Sequence, residues 1–456
     1  MKEATNRRVA LLVTTLASFL VPYMGSSVNI ALPSIGKEFS MHAISLSWVA
    51  ASFILAAAVS LLPLGKIADL YGRKRIFSWG ILTYAVSSLL SGVSASALAL
   101  ISSRLLQGIA GAMIFSTAIA ILISVFPAGE RGRVLGINVA SVYLGLSCGP
   151  FLGGFLTQHW GWRSIFFINV PLSLGIWGLV SWKLKGEWVG RREKRFDATG
   201  AIIYSLALVG IMSGLSLLPA PSGAPIILVG ALGILLFLRW EGRVENPILD
   251  LNLFRRSTAF TFSNLAALIN YSGTFAVGFL LSLYLQFIKG LSPQNAGLVL
   301  IFQPLMQTIF SPFAGKLSDR IEPRIIASLG MALTTAGLTL FALLSTSTRM
   351  EFIIACQMVL GLGFAFFSSP NTNAIMSSVD KGHFGIASAI LGTMRLTGQM
   401  LSMGIVMVAF ATNLGKAPIG SGNSSLFLGS LRAAFLIFAC LCLGGVFASL
   451  ARGKVR

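Results

Sequence analysis

Two arginines stand inside long apolar stretches of this sequence, Arg104 in Ser103-Arg104-Leu105-Leu106-Gln107-Gly108 and Arg395 in Thr393-Met394-Arg395-Leu396-Thr397. A charged side chain in the apolar interior of a bilayer costs at least about 2.5–3.5 kcal/mol, so each must face a polar cavity or a partner. A guanidinium placed there can orient an anion, respond to protonation of a neighbour, or tie helices together through backbone carbonyls. The remaining polar side chains in apolar runs are neutral, among them Asn29, Gln107, Asn264, Asn270, Gln303, Gln307, Asn371 and Asn373. Tyr23, Trp48, Tyr143, Tyr271 and Tyr284 add aromatic groups with one polar end. Such residues either line a cavity or act as hydrogen-bonding glue between helices. We take Asn29, Arg104, Gln107, Tyr143, Asn270, Gln303 and Arg395 as the candidate lining of a cavity for a small molecule. The fourteen acids and the three histidines, His42, His159 and His383, all fall in loops or at the ends of apolar runs. No cluster of His, Cys and acids offers a metal site or a nucleophile, so no catalytic residue, metal or cofactor is expected and the chain is not read as an enzyme.

The elements that must position these groups follow from composition. Of 456 residues, 55% are hydrophobic and only 11% charged, where a soluble domain carries roughly 25%. That leaves too little polar surface to cover a globule in water. Long apolar runs account for the difference. We count fourteen, near residues 9–32, 43–65, 76–94, 97–124, 132–157, 164–184, 198–218, 224–240, 257–287, 294–315, 324–345, 350–374, 384–411 and 430–451. Each approaches the ~20 helical residues that span a bilayer core. The first run is too long for the core of a secretion signal and is followed by no small-residue cleavage site. The four cysteines, Cys148, Cys356, Cys440 and Cys442, lie inside runs, which suits buried thiols rather than a disulfide framework.

The net charge of +20 is scattered through short loops rather than gathered on one face, which excludes a nucleic-acid partner and suits a multispanning membrane protein. With the N-terminus inside, 26 of the 34 basic residues fall on the cytoplasmic side. Lys37, Arg163, Lys289, Arg349, Lys416 and Arg432 fall on the outer side or at outer span ends, and Arg104 and Arg395 within spans. That bias predicts a multi-pass plasma-membrane protein with both termini cytoplasmic.

The two halves repeat at an offset of 250 residues. Gly65-Lys66-Ile67-Ala68-Asp69 aligns with Gly315-Lys316-Leu317-Ser318-Asp319, Gln107 with Gln357, Gly111 with Gly361, and Glu130-Arg131-Gly132 with Asp380-Lys381-Gly382. Repeats of this kind build many transporters, with the binding site between the halves. The runs near 198–218 and 224–240, joined by Pro219-Ala220-Pro221-Ser222-Gly223, have no partner under the offset. The expected organisation is an N-terminal six-helix bundle over 1–190, a two-helix insert over 191–245 and a C-terminal six-helix bundle over 246–456.

Six strings carry a family resemblance. Gly65-Lys66-Ile67-Ala68-Asp69-Leu70-Tyr71-Gly72-Arg73-Lys74-Arg75 resembles the loop-2 signature of the major facilitator superfamily. Arg104-Leu105-Leu106-Gln107-Gly108-Ile109-Ala110-Gly111-Ala112 resembles the span-4 motif of that superfamily. Gly145-Leu146-Ser147-Cys148-Gly149-Pro150-Phe151-Leu152-Gly153-Gly154 looks like its antiporter motif, with glycines every four residues for close packing and a proline that removes a backbone donor. Trp160-Gly161-Trp162-Arg163, Asn29-Ile30-Ala31-Leu32-Pro33 and Arg195-Phe196-Asp197-Ala198-Thr199-Gly200 are similar to the fourteen-span drug:proton antiporter branch. The resemblance covers nearly the whole chain. It implies an all-α polytopic fold of two pseudo-symmetric six-helix bundles plus two inserted helices. Gly65, Asp69, Gly72 and Arg73 would latch the halves together on the cytoplasmic side. Arg104 would serve substrate or proton handling, and Gly145, Gly149, Pro150, Gly153 and Gly154 would form the antiporter seam.

One departure bears on mechanism. The branch usually carries an aspartate five residues before Asn29, and this chain has Met24 there. A proton-coupled exporter needs a group that gains and loses a proton as the site alternates, and Asp69 or Asp197 near span ends could relay protons instead. The expectation is a monomeric secondary active exporter of small amphipathic compounds, working by alternating access in the lipid bilayer with protons as partner. The alternatives are an exporter of a specific neutral or anionic metabolite with atypical coupling, a transporter running in the uptake direction, and a non-transporting membrane sensor.

Overall fold

The computed structural model describes residues 2–127, 129–189, 196–380, 384–415, 417, 419 and 421–453. The expected domain boundary at 190/191, loop residues Arg191, Arg192, Lys194, Arg195, Lys381, Lys416, Lys454 and Arg456, and His383 lie outside them. Among the described residues every regular element is helical. The membrane-length helices are α1 (Lys2–Glu38), α2 (Ala43–Tyr71), α3 (Arg73–Gly92), α4 (Ala97–Val125), α5 (Arg131–Trp160), α6 (Arg163–Trp182), α7 (Ala198–Leu217) and α8 (Gly223–Glu241). Then come α9 (Thr258–Ile288), α10 (Pro293–Ser318), α11 (Pro323–Phe341), α12 (Met350–Ser377), α13 (Phe384–Asn413) and α14 (Ser424–Ala451). A short helix, Leu251–Arg256, precedes α9.

All but α3 are long and apolar enough to cross a bilayer by length and composition alone. The reason α3 reads as less apolar is local. It opens on Arg73-Lys74-Arg75, and its serines Ser87, Ser88 and Ser91 are buried against neighbouring helices rather than facing lipid. Ser91 Oγ donates to Ser103 Oγ of α4 at 3.0 Å, and Gln107 Nε2 of α4 donates to Ser88 Oγ at 2.8 Å. Helix starts follow ordinary capping chemistry: the side chains of Ser96, Asp197, Ser257 and Ser292 each accept from a backbone N–H three residues on. Helix ends extend past the apolar runs, as in α1, because backbone hydrogen bonding continues into the interface once the span has nucleated it.

Two helices are interrupted. α9 loosens between Thr274 and Val277 and ends in a π-turn over Tyr284–Ile288. α10 breaks at Ile301, between Pro293–Leu300 and Phe302–Ser318. Broken helices of this kind are tolerated at membrane depth where they are buried in protein, and Leu280, Leu281, Leu283, Tyr284 and Leu285 are all fully buried.

α1–α6 pack among themselves, as do α9–α14, and the offset of 250 seen in the sequence holds in space. A Cβ built on Gly80 of α3 would meet Met113 of α4 at 2.7 Å, and one on Gly330 of α11 would meet the Gly363 carbonyl of α12 at 2.8 Å. Gly111 of α4 faces Phe53 of α2, as Gly361 of α12 faces Gln303 of α10. Each second pair is the first advanced by 250. The inserted helices pack on each other backbone to backbone: a Cβ on Gly214 would stand 2.8 Å from the Gly223 carbonyl, and one on Gly230 2.8 Å from the Ala207 carbonyl. The pair lies beside α2 and α13, through Tyr204 Oη donating to the Ala58 carbonyl at 3.0 Å and Leu215 packing on Gly404.

The halves meet along two seams, α2 with α13 and α5 with α10. The offset converts one seam into the other, so they are related by the pseudo-two-fold of the repeat. The N-terminal end of α1 marks one face of the helix bundle, here the terminal face. Asn6 and Lys185 exchange two hydrogen bonds on it, and Arg7 reaches Glu130 at 3.8 Å. On the opposite face Glu38 pairs with Arg163 at 2.7 Å and accepts from Trp162 Nε1.

Candidate functional site

The loop-2 cluster forms at the end of α2. Gly72 takes φ 115, a conformation that favours glycine, and lets the chain turn directly from α2 into α3. A side chain there would also collide with the Glu187 carboxylate, which sits in the turn and accepts from the Lys74 N–H at the start of α3 at 2.8 Å. Arg73 Nε donates to Asp69 Oδ1 at 2.7 Å, and its Nη1 donates to Ser124 Oγ at 2.6 Å and the Ala120 carbonyl at 3.2 Å. All three partners belong to the first half. The expected latch across the halves is therefore not made in this conformation: Asp69 and Arg73 fasten α2 and α3 to α4. Lys66 alone reaches further, donating to the Pro247 carbonyl in the linker after α8 at 3.3 Å. Gly65 packs against Ser116 of α4.

Arg104 is 2% exposed and lies wholly within the first half. Its Nε donates to the Val49 carbonyl at 3.1 Å, Nη1 donates to Gln107 Oε1 at 2.5 Å, and the guanidinium stacks on the Phe53 ring at 4.6 Å. Gln107, also buried, passes the chain on to Ser88. This network ties α2, α3 and α4. Of the two roles open to Arg104, helix tie and cavity cation, it fills the first here.

Tyr143 and Arg395 come together elsewhere, between the halves. Tyr143, near the middle of α5, shares a hydrogen bond with Ser368 of α12 at 3.0 Å. Gln307 of α10, Tyr271 of α9 and Arg395 of α13 are the other polar groups its hydroxyl faces. The Arg395 guanidinium lies over the Phe115 ring of α4 at 5.4 Å. Nearby, Ser147 of α5 meets Thr308 of α10 at 3.4 Å, and Tyr271 packs edge-on to Phe364 at 5.9 Å. The polar groups of this central layer come from both halves and from five of the core helices.

The antiporter string is a two-sided seam. Gly145, Gly149 and Gly153 press α5 against the backbone of α1: a Cβ at Gly145 would stand 2.5 Å from the Phe19 carbonyl, and one at Gly153 2.7 Å from Ser27 Cα. Ser27 Oγ locks the contact by donating to the Gly149 carbonyl at 2.9 Å. The helix's other side faces the second half. Gly154 lies against the Pro293 carbonyl, and Gly297 of α10 against the carbonyl of Pro150.

Asn29 belongs to a second set of cross-half contacts, nearer the opposite face. Its carbonyl accepts from Ser282 Oγ at 2.6 Å, and the Ile30 carbonyl accepts from Gln286 Nε2 at 3.0 Å. Gln294 N donates to Gln158 Oε1 at 3.2 Å on the same side. Together with Gly154 and Gly297 these close the halves at the opposite face. Asn270 is fully buried in α9 with neither side-chain atom bonded, and the Gln303 carbonyl packs against Gly361 within the second half. Of the seven residues expected to line one cavity, Arg104 and Gln107 form a helix tie, the Asn29 carbonyl takes part in the contact across the halves, the Gln303 carbonyl packs within the second half, Asn270 is buried in α9, and Tyr143 and Arg395 stand in the central layer. Phe115, Ser368, Ser282 and Gln286 were not singled out in advance. A lone phenylalanine or serine in an apolar run has no signal beyond its neighbours, whereas Gln286 is a polar group late in a span and could have been found.

The sequence profile of the Major Facilitator Superfamily matches residues 14–238 and 264–454. The riboflavin transporter RibZ of Clostridioides difficile is 29% identical over 441 residues, 96% of each chain. The multidrug resistance protein Stp of Mycobacterium tuberculosis is 30% identical over 87% of this chain and 75% of its own. The tetracenomycin C resistance and export protein of Streptomyces glaucescens is 30% identical over 89% and 76%. With the profile spanning both halves, and with the halves related by the repeat seen in space, the chain belongs to the Major Facilitator Superfamily.

Proposed function

We propose that this protein is a secondary active exporter of small amphipathic compounds in the cell membrane, working by alternating access and coupled to protons, with both termini cytoplasmic. The observation that carries it is the two-sided seam on α5, where glycines bring one helix within backbone contact of α1 in its own half and of α10 in the other. Close backbone contact without interlocking side chains lets packed helices slide. With the terminal face cytoplasmic, the contacts Asn29–Ser282, Ile30–Gln286 and Gln158–Gln294 are the external gate in its closed form. The unmade cross-half latch at Asp69 and Arg73 then belongs to the same inward-facing state. The drug-resistance and export proteins among the relatives support the exporting direction.

The acids available for coupling are Asp69, Asp197 and Glu241. Glu241 is 3% exposed at the end of α8, and its Oε1 shares the space over Gly200 with the Asp197 carboxylate. RibZ, a riboflavin transporter, supports a second reading, transport of one specific metabolite rather than many compounds.

Inverted membrane vesicles carrying a respiratory proton gradient test the proposal. A lipophilic cation, a neutral amphiphile and an organic anion are added in turn against vector-only vesicles, and a pH-sensitive dye follows the gradient. Compound-dependent collapse is expected for at least one class. Labelled compound accumulating with no collapse would leave export standing and remove proton coupling. Neither signal would remove transport.

A further inference from the structure

Among the described residues Arg395 is the charged side chain that stands in the central layer between the halves, and the protein leaves its Nε without a partner. That Nε is buried, and the guanidinium lies over the Phe115 ring. Arg104, the other intramembrane arginine, is bonded to a carbonyl and an amide oxygen as well as stacked. A cation–π contact returns only part of what a charge loses on leaving water, and the remainder calls for an anion. The polar groups it shares with Tyr143 in this layer do not supply one. Tyr143, Gln307, Ser368 and Tyr271 are neutral. The chain's fourteen acids stand in loops or at helix ends.

The repeat sharpens the point. Removing the offset of 250 places Gly145 at the position of Arg395, and Ile354 stands where Arg104 would recur. Arg395 is present in one half only, at the seam where a molecule passing between the halves must lie.

We propose that Arg395 is the anion-recognition residue of the transport site, and that the cargo is an amphipathic organic anion carrying a carboxylate. The guanidinium fork takes a carboxylate through two parallel N–H donors. Phe115, Tyr271 and Phe364 give an aromatic or apolar body surfaces to lie against, while Tyr143 and Ser368 contribute hydroxyls at its edge. This rests on the transport reading above and adds the charge of the cargo to it.

The test uses the full chain in lipid nanodiscs and in proteoliposomes, with three probes of similar apolar bulk: 2-naphthoate, its neutral amide 2-naphthamide, and the cation tetraphenylphosphonium. Binding is read by tryptophan fluorescence and flux by radiolabel. The wild type is expected to prefer naphthoate over the amide by about tenfold or more, the usual effect of a hydrogen-bonded charge. Arg395→Gln is expected to erase that preference while leaving amide binding within about threefold. Arg395→Lys keeps the charge and loses the fork, and is expected to fall between the two, which also guards against a variant that fails to fold. Naphthoate binding that depends on Arg395, even with no flux of any probe, supports the anion site and removes the transport reading instead. Flux of the cation or the amide without naphthoate preference overturns the anion site and leaves transport standing. An unchanged preference in Arg395→Gln also overturns it.

Discussion

Gly154 of α5 lies so close to Pro293 of α10 that a Cβ on the glycine would stand 2.5 Å from the proline carbonyl, the distance of two backbones in contact across the halves. Pro150 and Gly297 repeat the approach a turn further along. Nothing larger than hydrogen fits at either position without parting α5 from α10. Gly154→Val is therefore expected to weaken the closed opposite face and lower export by about tenfold or more, with the protein still folded. Gly153→Val, which strikes α1 inside one half, is expected instead to reduce folded yield. Efflux rate and size-exclusion profile together separate the two outcomes. Equal folded yields would remove the distinction between gate and scaffold.

Asp69 and Arg73 form a partly exposed pair, with side chains 44% and 20% accessible. Such pairs contribute about 1 kcal/mol or less to stability. Asp69→Asn is expected to shift the unfolding temperature by no more than about 2 °C, yet to slow export several-fold, because Arg73 is no longer held ready for a cross-half partner. An Asp69→Asn protein exporting at the wild-type rate would remove the latch.

Arg104 should behave as a structural residue. Its removal leaves the Gln107 side-chain oxygen without a donor in a buried site, at about 1–3 kcal/mol, and empties the space beside Phe53. Arg104→Leu is expected to lower thermal stability and folded yield, and to reduce transport of anionic, neutral and cationic compounds in equal proportion. A selective loss of one charge class, with stability intact, would put Arg104 back in the transport site.

Much of the fold was legible in the sequence, for physical reasons that also explain what was hidden. Span number and the unpaired status of α7 and α8 come from apolar length and a fixed offset, both one-dimensional properties. The serine-rich α3 is a helix of 20 residues at the place of the third apolar run, bracketed by basic residues and a turn, although its own hydropathy is low. The functional division between Arg104 and Arg395 was not legible. Both are arginines in apolar runs, and only helix rotation decides that one points into the α2–α3–α4 packing and the other between halves. The partner Ser282 was hidden for a related reason, since it acts on a backbone carbonyl of α1 that carries no residue-type signal.

On the proposed proton coupling, Met24 supplies no acid, and the carboxylates of Asp197 and Glu241 beside the insert are the candidates to carry the proton. Glu241 Oε2 accepts from the Leu249 N–H at 2.8 Å, in the linker whose Pro247 carbonyl takes the Lys66 ammonium. Glu241→Gln is expected to preserve the fold and to lower compound-driven proton movement about fivefold or more, while compound binding in nanodiscs changes less than about twofold. Unaltered proton movement would exclude Glu241 from coupling.

The closed gate is the most direct place to test alternating access. In a background with Cys148, Cys356, Cys440 and Cys442 replaced, cysteines at Gln158 and Gln294 stand at positions already joined by a hydrogen bond between α5 and α10. Oxidising that pair should lock the opposite face shut. The prediction is that export stops on cross-linking and returns on reduction, with either single cysteine unaffected by oxidant. Full export from the cross-linked protein would contradict the account.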